Sequence, residues 1–287
     1  MYSYPMSWVA ITLLSVLVVS VANIFQKVLM KGDKSDPYSY AVIFHFLLGV
    51  ICLAFGFVYG ADFSYANGNI YFLLLSSALW GLCTIFLFKA LQLIGSSEVT
   101  IVSTVRVIVI IIASVLFLNE TFDLYKLLGS ILIIIATFLI VDWKQGFKLD
   151  RGFVYALIMT TFAGLAIVTD SVNVRHYDVI AYNTAVNFLS ACIILAFAPR
   201  SLGNWRPFFQ FSFLKTMVPL AILAATQGTL YLLALSYGGN TAQVGTIRQA
   251  TVIVTVILAV MFLHERENLG RKIVAAFLVT VGVVLLS

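Results

Sequence analysis

Apolar residues in this chain run in long unbroken blocks, with polar residues gathered in short clusters between them. The blocks fall at about 7–30, 38–59, 70–94, 97–118, 124–142, 152–174, 178–198, 213–237, 241–263 and 269–286. Most reach or approach the roughly 20 residues that a helix needs to cross a bilayer core of ~30 Å. Backbone groups in lipid must be satisfied within the segment or by barrel closure. Barrel strands alternate apolar and polar positions over ~10 residues; these blocks do not alternate, so the pattern predicts ten transmembrane helices. Breaks are equally clear: the polar GDKSD stretch ahead of Pro37, the segment 61–69, the segment 142–151, and 199–207 between two prolines. Proline disfavours helix just ahead of it. The segment 142–151 divides the chain in two but is too short to free two domains.

One block occurs twice. SSEVTIVSTVRVIVIIIASVLFLNE (96–120) set without gaps on TAQVGTIRQATVIVTVILAVMFLHE (241–265) is identical at 9 of 25 positions, from Val99/Val244 to Glu120/Glu265. Shared β-branched composition inflates such a count. The context strengthens it, because each copy leads through basic residues into a single further apolar span. Glu120 closes span four and Glu265 closes span nine, so the period is five helices. A unit with an odd number of crossings begins and ends on opposite faces. The expected fold is therefore all-α and integral to the membrane, with halves 1–145 and 146–287 inverted relative to each other. Inverted repeats are a recurring plan of secondary transporters, whose solute site lies near the midplane between the halves. Spans five and ten carry almost no interior polar groups and are expected at the periphery.

Composition narrows the function. With 62% hydrophobic and 10% charged residues, the chain is far from the roughly one-quarter charged make-up of soluble proteins. Cys52, Cys83 and Cys192 sit inside apolar runs and show neither a disulfide framework nor metal spacing. The histidines His45, His176 and His264 are scattered, and there is no HExxH and no useful pair of aspartates. The sequence thus gives no reason to expect a metal, a cofactor or an enzyme. The net charge of +5 sits mostly at loop ends, which is an orienting signal in membrane proteins rather than a nucleic-acid surface. The N-terminus lacks the pattern of a removable signal peptide, and 7–30 reads as the first helix. The expected setting is the cell membrane, multi-pass, and the bacterial inner membrane if the source is prokaryotic. Lipid and a small solute are the expected partners, and a monomer suffices.

Four features carry a family resemblance across the whole length: the five-plus-five plan, Asn23-x-x-x-Lys27 late in span one, an aromatic followed by Ala-Leu near the ends of spans three and eight (Phe86 with Ala90-Leu91, Tyr231 with Ala234-Leu235), and the Leu-x-Glu endings LNE and LHE. Together they resemble the ten-helix EamA-type members of the drug/metabolite transporter superfamily. The resemblance implies transport of small organic solutes, often amino acids or other metabolites. Three departures are visible. The proline usual in spans four and nine is absent from both, and no basic residue stands between spans two and three. Span one has no acidic residue, so the proton-coupled export of the small multidrug resistance branch does not carry over.

Ionisable groups inside a bilayer cost roughly 2.5–3.5 kcal/mol each on insertion scales and so face protein or water. Lys27 and Lys89 lie near helix ends, where long stems can snorkel; Lys27 is also a candidate for solute contact. Arg106 and Arg248 lie deeper in spans four and nine. Arg248 aligns with Ser103, about one helical turn from Arg106 on the same face, so inverted symmetry aims both guanidinium groups into one central space. The alternative is a structural arginine paired with Glu98 or Asp170, or with exposed carbonyls. Asn183 and Asn187 share one face of span seven and suit interhelical bonding as well as solute contact. Asn23, Gln26, Gln227, Gln243 and Gln249 are similar candidates, Tyr231 and Trp80 suit an apolar wall, and lone His45 reads as a satisfied polar contact. Glu98 and Asp170 are the candidates for ion coupling. Glu120 and Glu265 read as structural, each preceding a helix whose positive dipole end favours a carboxylate.

These readings converge on a secondary transporter that moves a small anionic or zwitterionic metabolite, such as an amino acid or organic acid, by alternating access. Buried arginines argue against the alternative of an exporter of cationic or hydrophobic drugs. A receptor or structural role is the alternative from another class. For orientation, the face holding loops 1–2, 3–4, 5–6, 7–8 and 9–10 carries 11 Lys and Arg residues and the opposite face carries 2. By the positive-inside bias both termini lie outside, against the usual description of the family. Single cysteines at positions 3 and 148 test this with an impermeant reagent: reaction at 3 and protection at 148 is the expected result, and the reverse rejects it.

Overall fold

The computed structural model describes residues 7–30, 37–64, 68–94, 99, 102, 103, 105–121, 123–140, 151–199, 211–251, 253–255 and 269–286. These residues form helices and no strands. In chain order they are α1 (Trp8–Met30), α2 (Pro37–Tyr59), α3 (Ile70–Leu93), α4 (Arg106–Leu118), α5 (Leu124–Ile140), α6 (Arg151–Asn173), α7 (Val179–Phe197), α8 (Phe211–Ser236), α9 (Thr241–Ile247) and α10 (Leu269–Leu286). Five stretches, in α2, α3, α6, α7 and α8, are each long and apolar enough to cross a bilayer, and α1, α4 and α5 contain shorter apolar stretches. The outer faces are apolar as lipid requires: Phe57, Tyr71 and Phe211 are 76%, 79% and 82% exposed. Hydroxyls inside the helices mostly return to the carbonyl one turn back, as Ser20 does to Val16, Thr160 to Ala156 and Thr229 to Ala225. That bond satisfies a polar group without water.

The helices pack mainly across the two halves. The most extensive pairings are α3 with α6, α5 with α10, α2 with α7 and α1 with α8. Exchanging the halves (α1 for α6, α2 for α7, and so on) turns α3–α6 into α8–α1, α3–α7 into α8–α2 and α4–α6 into α9–α1, all of which occur. The pairs α2–α7, α4–α9 and α5–α10 map onto themselves. The duplicated sequence is thus matched by a duplicated contact pattern. Helices α5 and α10 pack on each other and reach the rest mainly through α9, with Ile133, Ala136, Ala275 and Val279 closing a core with Val16, Ile247, Ala250 and Ile253.

Glu120 does not serve the helix that follows it. Asn119 adopts a left-handed conformation with φ 52° at the end of α4, one that asparagine tolerates better than most residues. The Glu120 carboxylate accepts the Thr241 N–H at 2.8 Å and the Ala242 N–H at 3.2 Å. It therefore caps α9, the copy of its own helix in the other half. Asn240 adds a cap at the same end, accepting from Ala242 and Gln243. The dipole argument was sound, but the helix end nearest in space belongs to the opposite half. Glu265 lies outside the described residues.

Candidate functional site

Each duplicated helix is interrupted by a tight turn, and each turn carries an arginine. In the first copy the Val105 N–H bonds the Val102 carbonyl at 3.1 Å, and the Val105 carbonyl accepts Ile108 N–H at 3.0 Å; α4 starts at Arg106. In the second copy α9 ends at Ile247, Arg248 and Gln249 form the turn, and helix resumes at Ala250. There Gln249 N–H bonds Thr246 O and Thr251 N–H bonds Arg248 O, both at 3.0 Å. These three-residue closures are 3₁₀ geometry, which inside a helix often marks a functional hinge. In the gapless alignment Val105 pairs with Ala250, so the two turns fall at matching places.

Close approach of the two copies depends on a glycine. A Cβ on Gly245 would lie 2.8 Å from Ile110 Cδ1, so the bare backbone lets α9 sit against α4, one turn before Arg248. The same holds for Gly164 of α6, where a Cβ would lie 2.7 Å from Val109 Cγ1. In Gly245→Ala the new Cβ meets Ile110 Cδ1 at 2.8 Å and Cγ2 at 3.2 Å, so a gain in helix propensity of up to ~1 kcal/mol is set against a shift of Ile110, and the net change is expected to be small. Gly245→Val overpacks the contact at a cost of about 1–3 kcal/mol. Thermal unfolding of the purified variants checks this order; equal behaviour of the two would reject the close-packing account.

The Arg248 guanidinium is held on two sides. Its Nη2 donates to Gln227 Oε1 at 2.7 Å, and its Cζ lies 4.3 Å from the centre of the Tyr231 ring. Gln227 is itself fixed, because its backbone carbonyl accepts the Ser15 hydroxyl of α1. Arg106 lies near enough to Arg248 for their charges to interact, and both lie close to the neutral Tyr231 side chain. Its Nε is enclosed with no hydrogen-bond partner. Among the described residues neither guanidinium forms an ion pair. Asp170 of α6 is 2% exposed and close enough to influence Arg248 electrostatically. Its carboxylate accepts from Ser76 Oγ at 2.5 Å, Tyr182 Oη at 2.6 Å and Trp80 Nε1 at 3.0 Å. Three donors from α3 and α7 thus converge on one acid from α6.

A second buried polar chain crosses α3, α2, α7 and α8. His45 Nε2 and Thr84 Oγ1 are 2.9 Å apart, as are His45 Nδ1 and Asn187 Oδ1. Asn187 Nδ2 donates to the Asn183 carbonyl and to Asn183 Oδ1, and Asn183 Nδ2 donates to Thr229 Oγ1. The two asparagines are therefore interhelical links in this structure.

Of the candidates from the sequence, Arg106, Arg248, Gln227, Tyr231 and Asp170 are brought together. Gln249 shares the turn with Arg248. Asn23 is exposed on α1. The side chains of Lys27 and Gln26, and all of Glu98, lie outside the described residues. Sequence reading missed Ser76 and Tyr182, for which no local signal exists, and gave Trp80 an apolar role while its indole N–H holds Asp170. A recess of about 480 Å³ lies at the surface end of α3 and α6, lined by Gly68, Asn69, Ile70, Tyr71 and His176. Neither guanidinium lines it, and its lining comes from a loop and helix ends rather than from the duplicated helices.

Comparison with known proteins adds three findings. The EamA-like transporter family matches the chain twice, over residues 6–142 and 150–287. No curated protein matches it. A solved crystal structure superposes with a TM-score of 0.78 over 97% of this chain and 94% of the other, at 15% identity; that likeness concerns the fold alone.

Proposed function

We propose, from the premise that the chain belongs to the EamA-like transporter family, that it is a secondary transporter of a small anionic or zwitterionic metabolite such as an amino acid or organic acid. On this reading ten crossings, five on either side of residue 146, form two inverted halves that rock about the space between α4 and α9. The observation that carries the proposal is the pair of arginines on the matching turns. Two like charges gather in a bundle where each is costly, one with an enclosed Nε lacking a partner and neither in an ion pair among the described residues. A carboxylate or phosphate accepts bidentately from a guanidinium, and its charge would relieve the repulsion between the two. Asp170 balances one positive charge, and its three donors hold it in place. Tyr231 and Gln227 fix the Arg248 plane, and the interrupted helices supply the hinge that alternating access needs.

The experiment is a thermal-shift screen of amino acids, organic acids and phosphorylated metabolites on the purified protein, followed by flux of the hits into liposomes. Stabilisation by anions and zwitterions, with saturable flux, is expected. Stabilisation by cationic drugs alone, or binding without flux, overturns the reading.

A further inference from the structure

We infer that His45 carries a proton during the transport cycle and that the Thr84 hydroxyl is built to accommodate both of its charge states. The inference rests on the transporter reading but not on what Arg106 and Arg248 bind.

Donor and acceptor accounting leads there. One Asn187 amide hydrogen points at the Asn183 backbone carbonyl at 2.8 Å, which can only accept. That fixes the amide, so Asn187 presents its oxygen to the ring, and His45 Nδ1 must carry a hydrogen in every state. The other ring nitrogen faces Thr84 Oγ1, which also lies 3.0 Å from the Trp80 carbonyl. A hydroxyl has one hydrogen and here two acceptors to choose between. If it bonds the Trp80 carbonyl, its lone pair faces Nε2, and the ring must be doubly protonated for that contact to hold. If it bonds Nε2, the ring is neutral. Both states leave both ring nitrogens hydrogen-bonded, and only rotation of one hydroxyl separates them. A histidine with a purely structural role requires one such state; this one is provided with two.

No fixed ion sets the choice among the described residues. The titratable groups on the helices packed around His45 turn elsewhere. Cys52 of its own helix α2 meets Thr229, Cys83 of α3 faces Arg106, Lys89 of α3 donates to Tyr38, and Tyr182 of α7 donates to Asp170. Tyr231 of α8 lies under Arg248. The ring is 4% exposed, so in this conformation a bound proton is closed off from both faces.

The chain ends at the solute site on both sides. Towards α3, the Thr84 hydrogen is given to or withdrawn from Trp80, whose indole holds Asp170. Towards α8, Asn183 bonds Thr229 and lies against Gly228, where an added Cβ would be 3.5 Å from its Nδ2; Gln227, which holds Arg248, is the next residue. The step is balanced: a proton from water on one face adds to Nε2 and the Thr84 hydrogen turns to the Trp80 carbonyl. Release to the other face reverses both changes.

The test uses protein labelled with ¹⁵N-histidine in phosphatidylethanolamine–phosphatidylglycerol vesicles, followed across about pH 3 to 8, a range that reaches below the ordinary histidine titration because the ring is buried. The resonances missing from His45→Gln belong to His45. They should pass from the neutral ring with hydrogen on Nδ1 to the doubly protonated ring as pH falls. In Thr84→Val the ring should take up its second proton only at lower pH than wild type, because a methyl cannot accept from Nε2 and the Trp80 carbonyl is the acceptor left beside the ring, and Thr84→Ser should restore the wild-type midpoint. A wild-type ring that stays neutral, or a Thr84→Val ring that titrates like wild type, overturns the inference. Vesicles loaded with a pH dye then receive a gradient of aspartate, glutamate and succinate. The internal pH should change with wild type and not with Thr84→Val, which should still exchange the solutes; an equal pH change in both overturns the coupling role. A wild type that moves none of these solutes rejects the anion reading instead, and the ring titration then decides on His45.

Discussion

Arg106→Gln and Arg248→Gln should each raise the apparent KM for an anionic solute about tenfold to a hundredfold, since a charge-assisted hydrogen bond contributes roughly 1.5–3 kcal/mol. Expression and thermal stability should change little, because neither guanidinium closes an ion pair among the described residues. The two positions should part company when lysine replaces arginine. Arg248 lies over the Tyr231 ring at 4.3 Å and donates to Gln227 at 2.7 Å. A flat cation suits that place, and lysine there loses the stacked plane as well as the fork. Arg106 has an enclosed Nε with no partner, so a point charge replaces more of what it does. Arg106→Lys should therefore recover more affinity than Arg248→Lys. Concentration-dependent uptake into liposomes measures all four variants. Normal transport by both glutamine variants, or misfolding of both, would make the arginines structural and remove the anion argument.

The arginine pair was legible because a duplication supplies geometry that no single helix does. Two copies of one helix related by inversion must bring their matching turns near a common axis, so depth and register alone pointed to one space. The helices were legible for a related reason: lipid forces continuous apolar blocks, and breaks in them stand out. Partner choice between helices was not. Nothing in the apolar face of α3 says that it packs on α6 rather than on a neighbour from its own half. Glu120 illustrates the same limit, since its chemistry was read correctly and its helix was not. Asp170 was visible as a lone acid, but its donors come from Ser76, Trp80 and Tyr182, three ordinary residues on two other helices. His45 was read as satisfied, which it is; that its partners satisfy two charge states emerges only when each hydrogen is assigned.

Asp170 should prove the most sensitive polar position for folding. Asp170 is 2% exposed, and its carboxylate accepts from Ser76, Tyr182 and Trp80, with the Tyr231 hydroxyl also beside it. Alanine removes the acceptor and leaves those donors in a bundle without water, each unsatisfied group costing about 1–3 kcal/mol. It also leaves the charges of Arg106 and Arg248 unbalanced. Tyr182 can turn its hydrogen to Ser76 Oγ, 2.8 Å away, which recovers one bond, but the Trp80 indole has no such alternative among the described residues. The loss should therefore exceed about 3 kcal/mol, in the range where truncating a buried charge network is strongly destabilising. Asparagine keeps one acceptor oxygen and places an amide where the other stood, so it should fall between wild type and alanine. Trp80→Phe deletes one donor and leaves the carboxylate two, which should cost less than Asp170→Ala. Thermal unfolding in one detergent, with wild type, Asp170→Asn and Asp170→Ala side by side, checks the order. An alanine variant as stable as wild type would show that the three donors are satisfied without the carboxylate, and that Asp170 neither holds the α3–α6–α7 junction nor balances the arginines.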